Sequence, residues 1–219
     1  MPLSILKKYK NSESYRIKFL LGFSIIYNVA YALYLLVESS LTASRWFFIM
    51  SVYYALLSIV RIFMFFQLER NNSLRKNLII MRGIGCFLFL LNFIISIMMF
   101  VLIYTNKIVK HGEITVITLA TYTFYVLAMA IIGSVKHIKR KNSLYSCIKI
   151  ISLVSASVSM VTLTNTMLST FGENNELLRS IILPLFSGVV SIFIIICAIL
   201  MVLKANSNLR WLNYEEKRK

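Results

Sequence analysis

Six apolar runs, each about as long as the ~20 residues needed to cross a bilayer, constrain this chain more than any other feature. They occupy residues 19–37, 46–68, 83–106, 114–135, 150–172 and 180–203; five hold no charged side chain, and the second holds one, Arg61. Strands this apolar occur in membranes only in closed barrels, where polar and apolar side chains alternate. These runs do not alternate, so the sequence predicts an all-α polytopic membrane bundle of six transmembrane helices. Composition agrees: 58% of the 219 residues are hydrophobic and 15% charged, against roughly 45–50% and about 25% in soluble domains. A soluble globular domain is excluded, and so is a disordered chain, which needs low hydrophobicity.

Charge sets the expected orientation. The chain carries 24 Lys and Arg against eight acids, all glutamate, for a formal net charge of +16. On a soluble chain that excess would suggest nucleic acid; between apolar helices it marks cytoplasmic segments, and no nucleic-acid partner is expected. The N-terminal arm holds Lys7, Lys8, Lys10, Arg16 and Lys18, and the second loop holds Arg70, Arg75, Lys76 and Arg82. The fourth loop holds Lys136, Lys139, Arg140, Lys141 and Lys149, and the tail Lys204, Arg210, Lys217, Arg218 and Lys219. The intervening segments hold only Arg45, Lys107, Lys110 and Arg179. Nineteen against four, alternating loop by loop, predicts both termini in the cytoplasm. The expected organisation is a basic cytoplasmic arm (1–18), a six-helix domain (19–204) and a cytoplasmic tail (205–219) whose Trp211 and Tyr214 suit the interface. The first run exceeds the roughly 7–15 residues of a cleavable signal, so it is expected to stay as a signal-anchor.

Polar side chains inside a bilayer are costly and usually face the bundle interior. In the fifth run Ser152, Ser155, Ser159, Thr162, Thr166 and Ser169 recur at steps of three and four, one stripe of a helix, with Lys149 a turn below. The second run offers Ser51, Tyr54, Ser58 and Arg61, and the third Arg82, Gly85, Asn92 and Ser96. Asn28, Tyr31 and Glu38 lie in or beside the first run, and Thr118, Tyr122 and Tyr125 lie in the fourth. One reading of the stripe is packing, since small residues let helices approach and hydroxyls bond the backbone one turn back. The other is a polar path between helices two, three and five that favours anionic groups. Its candidate solute or lipid-anion contacts are Arg61, Arg82, Lys149, Ser152, Ser155, Ser159, Thr162, Asn92, Tyr54 and Ser58.

Arg61 is the sharpest of these. It lies seven residues before the end of its run, roughly 10 Å inside the cytoplasmic boundary at 1.5 Å per residue. Either it snorkels to the inner headgroups or it is a buried cation. Glu38 sits at the opposite end beside Arg45, which leaves Arg61 without an evident acid partner. Phosphate, carboxylate or lipid headgroup oxygens are the groups that would complement it.

Most catalytic chemistry is missing from the apolar runs. His111 and His137 fall in loops on opposite sides, and Cys86, Cys147 and Cys197 are spaced neither as metal pairs nor as a disulfide framework. No Ser-His arrangement or phosphate-binding Gly-rich loop occurs. No enzyme activity, metal site or cofactor is therefore expected. An offset of 70 residues superposes Asn72-Ser73-Leu74 on Asn142-Ser143-Leu144, and Leu57, Ile62, Arg70 and Ile80 on Leu127, Ile132, Arg140 and Ile150. That offset suggests a parallel repeat of helices two and three in helices four and five.

The stretch 35–58, with Leu41-Thr42-Ala43-Ser44 ahead of an apolar helix, resembles the first two helices of cation diffusion facilitators. The resemblance implies a six-helix membrane domain with both ends inside. In that family Asp and His of the second and fifth helices bind the metal; the comparable positions here are Met50, Tyr53 and Leu57, then Lys149, Ser152 and Ala156. It therefore implies a membrane domain that has lost metal transport. The Ile, Lys and Asn content resembles small six-helix proteins of low-GC Gram-positive bacteria, which implies a bacterial cytoplasmic (plasma) membrane. The sequence thus leads to a transporter-like or channel-like protein with a small anionic solute. The alternative is an accessory subunit or scaffold that binds a membrane protein partner, or its own copies, and anionic lipid headgroups.

Overall fold

The computed structural model describes residues 13–69, 73–105, 112–136, 143–171 and 176–218. Its elements are six helices: α1 (Glu13–Thr42), α2 (Arg45–Glu69), α3 (Leu74–Thr105), α4 (Glu113–Lys136), α5 (Ser143–Phe171) and α6 (Glu176–Glu216). Each contains a stretch long and apolar enough to cross a membrane, and no strand occurs among the described residues. The surface is inverted relative to a soluble protein. Ile26, Phe66, Phe93 and Leu185 point outward, while Asn28, Ser58, Arg61, Thr162 and Asn165 are buried. Lipid is the solvent that suits such an exterior.

The helices outrun the apolar runs that define them. α3 begins at Leu74 and α5 at Ser143, so Arg75, Lys76, Arg82 and Lys149 are helical where hydropathy places them in loops. Charge ends the stretch that lipid tolerates, but Lys and Arg are good helix formers and the backbone ladder continues into water. The same holds at both ends of the chain. Residues 13–18 of the arm belong to α1, and the tail is helical to Glu216. α6 has 41 residues, roughly 60 Å at 1.5 Å each, about twice the thickness of a hydrocarbon core. Beyond the apolar stretch its end meets the start of α3, where Arg75 Nη1 lies 3.6 Å from Glu216 Oε2. Both side chains are exposed, so this pair adds little stability.

Three helix pairs make the bundle: α1 lies along α2, α3 along α6, and α4 along α5. The α1–α2 hairpin turns at Ala43 and Ser44, with Ala43 in the left-handed region at φ 50°. Ser39 Oγ donates to the Ser44 carbonyl at 3.1 Å, and Ser51 Oγ donates to the Ala32 carbonyl at 2.8 Å, clamping the hairpin. Against α6, Gly85 removes the one atom that would not fit. A Cβ there would stand 2.7 Å from Val202 Cγ2 and 3.3 Å from the Ala198 carbonyl oxygen. Small residues at such crossings allow the close approach that packing in lipid relies on.

This pairing does not follow the 70-residue offset. α4 packs closely on α5, whereas α2 packs chiefly on α1 and α3 on α6, so the two proposed units are not alike. A different correspondence describes the bundle. Exchanging the first three helices for the last three turns α1–α2 into α4–α5 and α2–α3 into α5–α6, and leaves α3–α6 and α2–α5 in place. The match is approximate: α5–α6 is more extensive than α2–α3, and the α3–α5 contact has no counterpart of similar extent. Because successive helices reverse direction, the two halves run oppositely. α1 and α4 are antiparallel, with Tyr27 on Tyr125, Tyr31 on Tyr122, and Glu38 bonded to Thr115.

The α3–α6 crossing supplies a matched test. Gly83→Ala and Gly85→Ala add the same methyl and the same helix propensity, but a Cβ at Gly83 meets nothing within 4 Å. Gly85→Ala should therefore melt below Gly83→Ala, by overpacking worth about 1–3 kcal/mol. Equal melting temperatures in detergent would contradict this crossing.

Candidate anion site

Four helices bring their polar side chains to one place. α1 contributes Ser24, Asn28 and Tyr31, one face at steps of four and three; α2 contributes Tyr53, Tyr54 and Arg61; α4 contributes Tyr122 and Tyr125; and α5 contributes Ser155. At the centre is Arg61, only 2% exposed. It lies eight residues before the end of α2, roughly 12 Å from that end. It does not snorkel to the surface. Its Nη1 donates to the Ser24 hydroxyl of α1, while Nε and Nη2 have no hydrogen-bond partner.

Tyrosines surround the guanidinium: Tyr122, Tyr54, Tyr125 and Tyr53 all lie within its electrostatic reach. The rings form two aromatic groups. Tyr31 and Tyr122 stack nearly parallel at 3.5 Å between centroids, and Tyr54 stands edge-on to Tyr31 at 4.7 Å and to Tyr122 at 5.7 Å. Tyr53 meets Tyr54 edge-on at 5.7 Å, and Tyr125 stacks on Tyr27 at 4.3 Å, with Phe23 beside both. The Tyr122 hydroxyl donates to Asn28 Oδ1 at 2.5 Å, which orients the amide and leaves Asn28 Nδ2 unpaired. The hydroxyls of Tyr31, Tyr53, Tyr54, Tyr125 and Ser155 likewise lack a well-formed hydrogen bond.

No carboxylate is bonded to Arg61 among the described residues. Glu38 is engaged elsewhere, its Oε1 accepting from Thr115 Oγ1 at 2.9 Å in the first turn of α4. The cluster therefore concentrates hydrogen-bond donors and one positive charge, with no negative charge to balance them. Unpaired buried donors cost about 1–3 kcal/mol each, so the arrangement is complementary to an oxyanion.

The hydroxyl stripe of α5 turns out mostly inward upon its own backbone. Ser159 Oγ donates to the Ala156 carbonyl at 2.8 Å, Thr162 Oγ1 to the Val158 carbonyl at 3.1 Å, Thr166 Oγ1 to the Thr162 carbonyl at 2.8 Å, and Ser169 Oγ to the Asn165 carbonyl at 2.8 Å. Ser58 does the same on α2, to the Tyr54 carbonyl at 2.8 Å. This is the packing arrangement, with Ser155 as the exception beside Tyr122. Of the ten positions named from sequence, Arg61, Tyr54 and Ser155 belong to the cluster. Asn92 is buried on α3 with Oδ1 unpaired, Lys149 and Ser152 are half-buried, and Arg82 is exposed on α3 and does not converge on Arg61. The polar interior thus lies among α1, α2, α4 and α5, with α3 outside it rather than lining it.

The members outside those ten are Ser24 and Tyr53, together with Asn28, Tyr31, Tyr122 and Tyr125, which the sequence marks as polar positions of the first and fourth runs but not as anion contacts. A signal for them exists in the i, i+3 pairs Asn28/Tyr31 and Tyr122/Tyr125 on two otherwise apolar runs. Tyrosine is easily set aside in a membrane helix because its usual place is the interfacial belt.

Fold and site together define a multi-pass membrane helix bundle with a buried arginine in a tyrosine-lined interior. No protein-family model, characterised protein or solved structure matches the chain. The positions that correspond to metal ligands in cation diffusion facilitators serve other contacts here: Met50 Sδ lies 3.6 Å from Thr162 Oγ1, and Tyr53 belongs to the Arg61 cluster.

A triple Ser159/Thr166/Ser169→Ala variant separates the two roles of α5. Because those hydroxyls bond only their own helix, it should melt within a few degrees of the wild type in detergent. Loss of the folded state would show that they hold neighbouring helices.

Proposed function

We propose that this chain is a small transporter-like or channel-like membrane protein, without enzymatic activity, whose interior binds and passes an anion. The observation that carries this reading is Arg61, buried among α1, α2, α4 and α5 with two unpartnered nitrogens and no acidic partner among the described residues. A purely structural arginine is expected to be paired, since burying an ion costs several kcal/mol. Intramembrane charged groups typically mark solute or ion pathways. The oppositely running halves add support, because inverted repeats are a recurrent plan of transporters with a site near mid-membrane at the repeat interface. The charge split and composition favour a bacterial plasma membrane with both termini cytoplasmic.

A second reading has its own observation. Arg75, Lys76 and Arg82 on α3 and Lys204 and Arg210 on α6 are exposed along the paired helix ends, a basic surface suited to anionic headgroups. An accessory subunit or scaffold would use that surface, with a membrane partner or further copies of the chain.

Osmotic swelling distinguishes the two. Proteoliposomes with valinomycin, placed in isosmotic potassium nitrate, phosphate or lactate, should swell faster than protein-free vesicles in at least one salt. Arg61→Gln should abolish the difference. Arg61→Lys should weaken it although charge is kept, because the planar fork is lost. Identical swelling with and without protein in all three salts would favour the accessory role.

A further inference from the structure

The guanidinium of Arg61 is not free in an arbitrary direction. Nη1, the nitrogen on the side of Cδ, is committed to Ser24. The two unpartnered nitrogens, Nε and Nη2, form the opposite edge, where two N–H bonds point the same way. That edge matches the two oxygens of a planar carboxylate, the bidentate geometry in which arginine is most selective.

Charge narrows the class further. Arg61 is the one buried basic side chain among the described residues. A single positive charge balances a monoanion; a phosphate dianion would bring an excess negative charge into a site that holds no second cation. The remaining unpaired groups of the cluster, the hydroxyls of Tyr31, Tyr53 and Tyr54 and the amide Nδ2 of Asn28, are donors available to the outer lone pairs of the carboxylate. Tyr125, within the electrostatic reach of Arg61, stacks on Tyr27 with Phe23 edge-on to it, and these outward-facing rings offer apolar surface to the rest of the molecule.

We infer that the Arg61 cluster binds a monocarboxylate with an apolar body, held by Nε and Nη2 of Arg61 and by the surrounding phenols. This rests on the anion reading above and names its ligand class. The carboxylate has two sources, a free organic acid or a membrane-derived fatty acid, and the probes separate them.

The experiment is thermal unfolding of the full chain in detergent with potassium benzoate, laurate, sulfate or phosphate at matched ionic strength. The expected result is a saturable rise in melting temperature with a carboxylate and none with sulfate or phosphate. A shift with benzoate points to free organic acids, and a shift with laurate alone to fatty acids. Arg61→Lys should weaken the apparent affinity at least tenfold. Tyr54→Phe, which keeps the ring and is the safer variant for folding, should weaken it several-fold. Equal or larger shifts with sulfate or phosphate would overturn the carboxylate assignment and leave the anion reading intact. No shift with any of the four salts would overturn both. A carboxylate shift unchanged in the folded variants would place the ligand elsewhere.

Discussion

A positive charge held in a low-dielectric interior must be compensated by something, and no carboxylate bonded to Arg61 among the described residues does so. The penalty for burying an ion is several kcal/mol even after relaxation. Ser24 relieves one nitrogen of Arg61, and four tyrosines lie within its electrostatic reach without bonding the other two. What they do not provide is negative charge. α1, α2, α4 and α5 are each committed to this centre through at least one side chain, so the geometry of the interior and the electrostatics of Arg61 are one problem. The hydroxyls of the interior can donate as well as accept, and with the open edge of Arg61 they are the basis of the proposed anion reading.

The rest of the bundle keeps that centre in place. The α1–α2 hairpin sets Ser24 opposite Arg61 through an antiparallel register that also joins Ser51 to Ala32 and Tyr31 to Tyr54. Antiparallel α4 closes the other side with its two tyrosine stacks. α3 and α6 form a pair of their own, drawn together where Gly85 meets Ala198 and Val202, and extended past the apolar stretch by the long end of α6. The two halves contribute unequally to the site: α1 and α2 supply Arg61 and most of the polar side chains, and α4 and α5 supply Tyr122, Tyr125 and Ser155.

Much of this was legible in the residues. Six helices followed from run length and the lack of alternation, because lipid leaves a chain few ways to satisfy its backbone. Arg61 stood out because one charge in an apolar run is costly wherever it points. Its surroundings were harder to read. Hydropathy says where a helix meets lipid and nothing about which helices become neighbours, so α3 was assigned to the interior on the strength of Arg82 and Asn92, while the Tyr and Asn pairs of α1 and α4 stayed in the background. The regular spacing of Ser159, Thr162, Thr166 and Ser169 fits packing and a polar path alike, and the hydroxyls favour packing, since each bonds a carbonyl on the preceding turn of α5. Spacing reports a face. It does not report whether the face is wet. The helix ends were blurred for a related reason, since hydropathy stops at Arg82 and Lys149 although the backbone ladder does not.

On the proposed reading Arg61 is a buried charge kept for a ligand, and the stability of the ligand-free protein with that charge removed tests it. Arg61→Met preserves much of the length and volume of the side chain while discarding the ion. Replacing a buried ion by an apolar group of similar size is often neutral or stabilising, whereas breaking a satisfied structural pair costs about 3–5 kcal/mol. The account predicts that Arg61→Met melts at or above the wild-type temperature in anion-poor detergent solution, and loses the rise that an added carboxylate gives the wild type. A melting temperature well below that of the wild type would mean that Arg61 is already satisfied within the bundle, and would contradict the account.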